Sequence, residues 1–212
     1  MNKNSLLAAL TGAVCLSVGS GAFNQANAVT FNFSGSGGFA NSFTFTEEGL
    51  SVTATASNVT AGETIDAQVT QNSAGLGVFA GDVDENLRVD GDLEGSSNGQ
   101  TSIDTLDLTF DTEVFFSSAT FTRIDSSDEF DLSIDDGETE RSELNPVGNG
   151  TVTVDFPSLR GSTFSFSATD FNDGYRLQQV EAAIVPEPLT ILGAGTALGF
   201  GIAFKKRASK KS

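Results

Sequence analysis

The sequence predicts an all-β protein: one antiparallel β-sandwich, jelly-roll-like, between two apolar terminal segments. Short stretches alternate between apolar and polar residues, which is typical of strands with one buried face. Gly, Asn, Asp and Ser separate these stretches, and no helical periodicity in the middle of the chain exceeds about two turns. We therefore expect three parts, residues 1–28, 29–185 and 186–212.

The first part has the pattern of a secretory signal peptide. Lys3 precedes an apolar core from Leu6 to Val18, and Ala26 and Ala28 occupy the small-residue positions of an A-x-A cleavage site. This pattern predicts cleavage after Ala28, which leaves Val29 as the first residue of the exported chain.

The middle part contains the alternating stretches, from which we expect nine to eleven strands. One-sided alternation requires a sheet with one buried face, and two such faces packed together form a sandwich. The adjacent pair Phe115 and Phe116 places one of the two rings outside if its strand is regular; that ring or Phe39 would then be a surface patch. The predicted inward residues are Leu106, Leu108 and Phe110; Phe130, Leu132 and Ile134; Val152, Val154 and Phe156; Phe164, Phe166 and Ala168; and Val180, Ala182 and Ile184.

Charge and composition exclude several classes of function. The chain carries a net charge of −17, and residues 29–185 contain five Arg, no Lys and 27 acidic residues, a net charge of −22. Such a surface repels phosphate backbones and anionic lipids, so we expect no nucleic-acid partner. The chain has no His, and its single Cys15 lies in the predicted signal peptide. Disulfides, zinc sites and His-dependent triads are therefore not expected in the mature protein.

Three acidic loops, at residues 82–92, 125–131 and 135–140, are candidate calcium sites, because calcium binds six to eight oxygens in flexible geometry. Our preferred ligands are Asp82, Asp84 and Asp90. The first loop begins like an EF-hand, but Leu87 and Leu93 replace the required Gly and Glu. We expect these loops to be solvated and the protein to require no cofactor. Calcium binding at one of the loops is the alternative.

The domain offers little for catalysis or for sugar stacking. A glycosidase needs two carboxylates on either side of a sugar cleft, and carboxylates are abundant. However, the chain contains no Trp and only one Tyr, Tyr175, to line such a cleft. We therefore predict a non-enzymatic protein.

The C-terminal part combines an apolar segment with a basic tail at 205–212. The segment Leu189–Phe204 would span about 24 Å as a helix, which is short for a bilayer. Five cations follow it, and these place the tail in the cytoplasm by the positive-inside rule. The signal peptide sends the domain to the opposite side, so both segments predict the same topology.

The triplet Pro186, Glu187 and Pro188, the short Gly-containing segment and the basic end together resemble the PEP-CTERM sorting signal of Gram-negative bacteria. The stretches "GLGVFAGDVDENLRVDG", "DTLDLTFDTEVFFSSATF" and "DEFDLSIDDG" are also similar to largely uncharacterised domains that often precede this signal. The resemblance implies recognition by an exosortase, a membrane enzyme that cleaves near the triplet. It also implies a link to exopolysaccharide production.

The functional expectation follows from these parts. The protein would pass through the export machinery, stay transiently in the inner membrane and end at the cell surface or in the extracellular matrix. The alternative is a calcium-dependent glycan-binding or adhesive module, and a glycoside hydrolase is less favoured.

Overall fold

The computed structural model describes residues 28–60, 63–81, 87–91, 102–125, 128–135, 138–143, 150–168 and 173–186. These residues form thirteen strands, no helix occurs among them, and every strand pair is antiparallel. The predicted all-β, antiparallel class is confirmed. The strands are β1 (Val29–Asn32), β2 (Gly38–Ala40), β3 (Ser42–Glu47), β4 (Leu50–Thr60), β5 (Glu63–Asp66), β6 (Gln68–Asn72), β7 (Gly75–Phe79), β8 (Val89–Asp90), β9 (Ser102–Thr122), β10 (Glu129–Ile134), β11 (Glu138–Glu143), β12 (Thr151–Ala168) and β13 (Gly174–Ile184).

The two longest strands, β9 and β12, connect all parts of the sheet. The first half of β9 pairs with β4 and its second half pairs with β13, while β12 runs beside both halves. Nine to eleven strands were predicted, and thirteen are described. The sequence pattern treated residues 151–156 and 162–168 of β12 as separate strands, and in β9 the polar residues Asp111–Glu113 interrupt the alternation and are exposed. The backbone nevertheless continues as a strand there, with a register shift between β9 and β12 near Gly161.

Aromatic side chains fill the core on the inner face of the folded sheet. Phe116 stacks on Phe164 with ring centroids 4.4 Å apart, and Phe121 lies 4.7 Å from Phe130. Each of these contacts joins the second half of β9 to β10 or to the second half of β12, so the sheet folds over on itself. Hydrogen bonds connect all thirteen strands in one sheet, where the prediction had two.

The predicted inward faces are confirmed in most strands. The inward residues of β9, β10 and the end of β12 are buried, and the Phe pair divides as expected, with Phe115 40% and Phe116 1% exposed. Phe39 is also exposed. Val152 and Val154 of β12 are partly buried against the core. At the end of β13, Ile184 is 38% exposed although Val180 and Ala182 are buried. Alternation therefore identifies the face of a residue but not whether anything covers that face.

The two ends of β13 define two ends of the domain. At the terminal end, the first strand pairs with the last, with Val29 opposite Ala182, and the Val185 N–H donates to the Glu113 carbonyl over 3.1 Å. The distal end comprises the start of β13, the end of β9 and the start of β12. About 20 Å of strand separates Gln178 from Ile184 at 3.3 Å per residue.

Candidate functional site

A polar cleft opens at the distal end, with a volume of about 620 Å³. Its walls come from the turn between β6 and β7, the segment before β8, the end of β9, the start of β12 and one residue of β13. We call it the distal cleft. Its lining residues are Ser73, Ala74, Arg88, Thr122, Arg123, Ile124, Asp125, Gly150, Thr151 and Gln178.

Departures from regular strand geometry shape this cleft. Gln178 is an extra residue in β13 at a register shift against β9, and such a bulge re-aims the side chain. Arg123 has a left-handed backbone with φ of 60°, as does Gly150 with φ of 66°. A Cβ at Gly150 would lie 2.8 Å from the Ile124 carbonyl oxygen, so this position requires glycine. The ladder between β9 and β12 closes there through the Ile124 N–H, which donates to the Gly150 carbonyl over 3.4 Å.

Arg88 enters the cleft from a segment held tightly against β7. The Val78 N–H donates to the Arg88 carbonyl over 3.0 Å, and a Cβ at Gly77 would collide with the Leu87 carbonyl. The Arg88 guanidinium donates over 3.4 Å to the Gly174 carbonyl. The close approach at Gly77 therefore fixes the backbone from which Arg88 reaches the cleft.

Buried carboxylates lie behind the cleft and hold the surrounding loops. Asp128 is 2% exposed and accepts hydrogen bonds from the Asp125 N–H at 2.6 Å and the Gly174 N–H at 3.2 Å. Asp173 is 4% exposed and accepts from the Glu129 N–H at 2.9 Å. Burial raises the pKa of Asp128, and the neighbouring Asp125 and Asp173 carboxylates raise it further against the opposing effect of its backbone hydrogen bonds.

Tyr175 lies among these carboxylates with its ring in the aromatic core, 5.3 Å from Phe121. Its side chain is fully buried, and its hydroxyl has no hydrogen-bond partner among the described residues. Burial raises the pKa of Tyr175 well above the ordinary value, and the Asp173 and Asp131 carboxylates add to the effect. The hydroxyl therefore stays protonated at neutral pH and is a poor base or nucleophile.

Only one of the three predicted calcium ligands falls within the described residues. Asp90 is 6% exposed in β8 and lies opposite Gly174 of β13, whereas Asp82 and Asp84 lie outside the described residues. In the part of the chain that the structure describes, no three Asp, Glu, His or Cys residues form a group that could hold a metal ion. The calcium site remains a prediction.

The predicted processing sites lie at the terminal end or beyond it. Ala28 is exposed immediately before β1, Val29 is the first residue of that strand, and Pro186 is half-buried two residues after β13. Ala26, Glu187, Pro188, the predicted helix at 189–204 and the basic tail lie outside the described residues. Within those residues, no helix is long and apolar enough to span a bilayer.

Sequence reasoning missed the distal cleft. Arg88, Arg123 and Gln178 come from three distant parts of the chain, and no local motif connects them. The sequence offered one usable signal. Arg is rare in this acidic domain, so each Arg is a candidate for a specific structural or binding role. The cleft offers hydroxyl, amide and guanidinium groups, a set that binds hydroxylated or anionic ligands through hydrogen bonds.

Comparisons with known proteins leave the family open. No protein-family model and no curated protein matches the chain. Among solved structures, the chain is similar to one from Clostridium perfringens described as CpGH89CBM32-5 in complex with GalNAc-beta-1,3-galactose. The identity is 15% and the TM-score 0.28, over 39% of this chain and 66% of that chain. A likeness this weak supports no argument about fold or function.

Proposed function

We propose that this chain is an exported, non-enzymatic protein of the cell surface or extracellular matrix that binds polysaccharide in its distal cleft. The C-terminal part would act as the sorting segment that an exosortase recognises at Pro186, Glu187 and Pro188. In this proposal the folded sheet is the jelly-roll-like sandwich expected from the sequence, and the inner membrane holds the protein only during export.

The observation that carries the proposal is the position of the cleft relative to the chain ends. The first and last strands are paired, so both terminal segments leave the domain at its terminal end. The distal cleft lies at the other end of β13. A domain held in the membrane through residues beyond Pro186 would therefore direct the cleft away from the bilayer. This arrangement suits the capture of an external polymer.

The composition of the cleft supports binding rather than hydrolysis. Its described lining has one carboxylate, Asp125, whereas the usual glycosidase mechanism needs two. Hydroxyl and amide side chains there, including Thr151 and Gln178, match the hydrogen-bonding groups of a sugar.

A calcium-dependent glycan-binding or adhesive module is the second candidate. Asp90 favours it, because this predicted ligand is buried opposite Gly174, whose N–H donates to the Asp128 carboxylate. The described residues alone form no metal-binding group, so the remaining ligands would have to come from outside them, as predicted for Asp82 and Asp84. In that case calcium would stabilise the distal loops, and chelation would abolish glycan binding.

The test is to recover the protein from its cells and determine its intact mass and both termini, then probe the same material on a glycan array. We expect an N-terminus at Val29, loss of the basic tail, and glycan binding that survives chelation. A variant with Pro186 and Glu187 replaced by alanine should keep its C-terminal segment, so its intact mass should be that of the unprocessed chain. A surface protein that keeps residues 205–212 would contradict sorting, and binding only with calcium would favour the second candidate.

A further inference from the structure

The arginines whose side chains the structure describes fall into two pairs. Both members of the first pair bind other groups of the protein. Arg160 forms an ion pair with Glu113 at 2.6 Å, and its guanidinium carbon lies 6.0 Å from the Phe115 ring centroid. Arg176 is buried and donates to the Gly75 carbonyl at 2.9 Å and the Thr70 hydroxyl at 3.0 Å. Both cations therefore have structural partners.

The second pair, Arg88 and Arg123, lines the distal cleft. Arg88 donates one long hydrogen bond, at 3.4 Å, to the Gly174 carbonyl, which leaves most of its five donors available. Arg123 is exposed, and among the described residues its guanidinium has neither a hydrogen-bond acceptor nor an ion-pair partner. Both guanidinium groups line one concavity, and each offers the forked pair of donors that binds a carboxylate.

The charge of the cleft differs in sign from that of the domain. The charged residues of its lining are Arg88, Arg123 and Asp125, which sum to +1, whereas residues 29–185 carry −22. The domain as a whole repels a dense polyanion, whereas the two guanidinium groups of the cleft lining attract an acidic group. A ligand that satisfies both conditions carries its negative charges singly, among neutral residues.

The backbone keeps Arg123 in place. A left-handed conformation at a non-glycine residue is strained and is maintained by its surroundings. Here, Thr122 pairs with both Thr151 and Arg176, and the Ile124 N–H donates to the Gly150 carbonyl. The side chain therefore projects from a fixed point at the cleft wall, so less ordering is needed when a ligand binds.

We propose that Arg88 and Arg123 together bind the carboxylate of a sugar acid, so that the distal cleft selects a polysaccharide with isolated uronate residues. Gln178 and Thr151 would bond the hydroxyl groups of the neighbouring sugar units. This inference rests on the proposed function and specifies the ligand class of the same cleft.

Titration calorimetry of the full-length protein tests this with two probes: a hyaluronan tetrasaccharide, which carries one carboxylate per disaccharide, and the same oligosaccharide after carboxyl reduction. We expect the acidic probe to bind at least about tenfold more tightly, since hydrogen bonds to charged groups contribute about 1.5–3 kcal/mol. Arg88→Gln and Arg123→Gln should each remove about tenfold of that affinity. Arg123→Lys should restore only part of it, because a lysine lacks the fork.

The matched control is Arg160→Gln, which removes an exposed arginine at the terminal end and should leave binding unchanged. Thermal melts of every variant identify any loss of folding. Equal binding of the acidic and reduced probes, or unchanged affinity in folded Arg88 and Arg123 variants, would overturn the inference while glycan binding stands. If neither these probes nor a glycan array gives binding, the proposed function fails as well.

Discussion

The terminal and distal ends of the domain are built from the same strands but differ in what they contribute. At the terminal end, the ladder between β9 and β13 has one register shift, between Glu181 and Ala182, and Phe116 and Ala182 are buried in an apolar core. At the distal end the same ladder has a second register shift, and a left-handed arginine and buried polar groups such as Asp128 and the Tyr175 hydroxyl lie beside it. The comparison indicates that the two ends differ in the polarity of what they bury: the distal end accepts buried polar groups around a polar site.

The largest effect should come from removing an aromatic anchor near the terminal end. Phe116 contacts the rings of Phe156, Phe164 and Phe166 at 5.6, 4.4 and 6.0 Å. Phe116→Ala should therefore lower the free energy of unfolding by about 3–5 kcal/mol, through lost burial and a cavity. Urea denaturation monitored by circular dichroism measures the change.

Phe115→Ala is the matched control, because the neighbouring ring lies on the outer face and is 40% exposed. We expect a loss of under about 1 kcal/mol there. Comparable losses for the two substitutions would mean that the inner and outer faces of β9 are wrongly assigned.

At the distal end, the corresponding truncation should stabilise the protein. Tyr175→Phe removes a buried hydroxyl that has no partner among the described residues. Leaving such a group unsatisfied costs about 1–3 kcal/mol, so we expect a gain of about 1 kcal/mol in the same denaturation experiment. A loss of similar size would show that the hydroxyl bonds to something essential, and the two ends would then be more alike than we infer.

The smallest effect concerns pH and separates two carboxylates. Burial raises the pKa of Asp128, so its favourable contribution is complete below the unfolded-state pKa and is lost as the pH rises through the folded-state pKa. The wild type should therefore gain stability relative to Asp128→Asn between about pH 7 and about pH 4. Urea midpoints across this range measure the difference, and a flat or opposite trend would contradict the raised pKa.

Asp135 is the control of opposite sign. Desolvation works against its ionisation, but hydrogen bonds from the backbone of Ser162 and Thr163 and from the Ser162 hydroxyl lower its pKa overall. Its contribution is present above the unfolded-state pKa and is lost as the pH falls. Relative to Asp135→Asn, the wild type should therefore keep its advantage down to about pH 4 and lose it as the pH falls further.

The sequence predicted the buried faces of several strands and little of the distal cleft, for a physical reason. Alternation along a strand is a local property, so the buried faces of Leu106 to Phe110 and of Phe130 to Ile134 could be identified directly. The predicted strand count was too low, because short strands such as β2, β5 and β8 have too few residues to show alternation. The exposed triplet Asp111–Glu113 resembles a turn, although the backbone continues through it.

The candidate site could not be predicted, because it depends on long-range pairing. Arg88, Arg123 and Gln178 meet only after β9 pairs with both β12 and β13, and the bulge that directs Gln178 has no sequence signature. The clustering of acidic residues suggested calcium sites. In the structure, the Asp128 carboxylate instead accepts hydrogen bonds from backbone N–H groups.

The position of β13 has a mechanical consequence. A protein held beyond Pro186 and loaded by a polymer at Arg123 would be pulled along the axis of this strand, which has β9 on one side and β1, β7 and β8 on the other. Force in that direction shears many hydrogen bonds at once instead of opening them one after another. The domain would therefore resist flow-induced tension best along the line that joins its attachment point to its ligand.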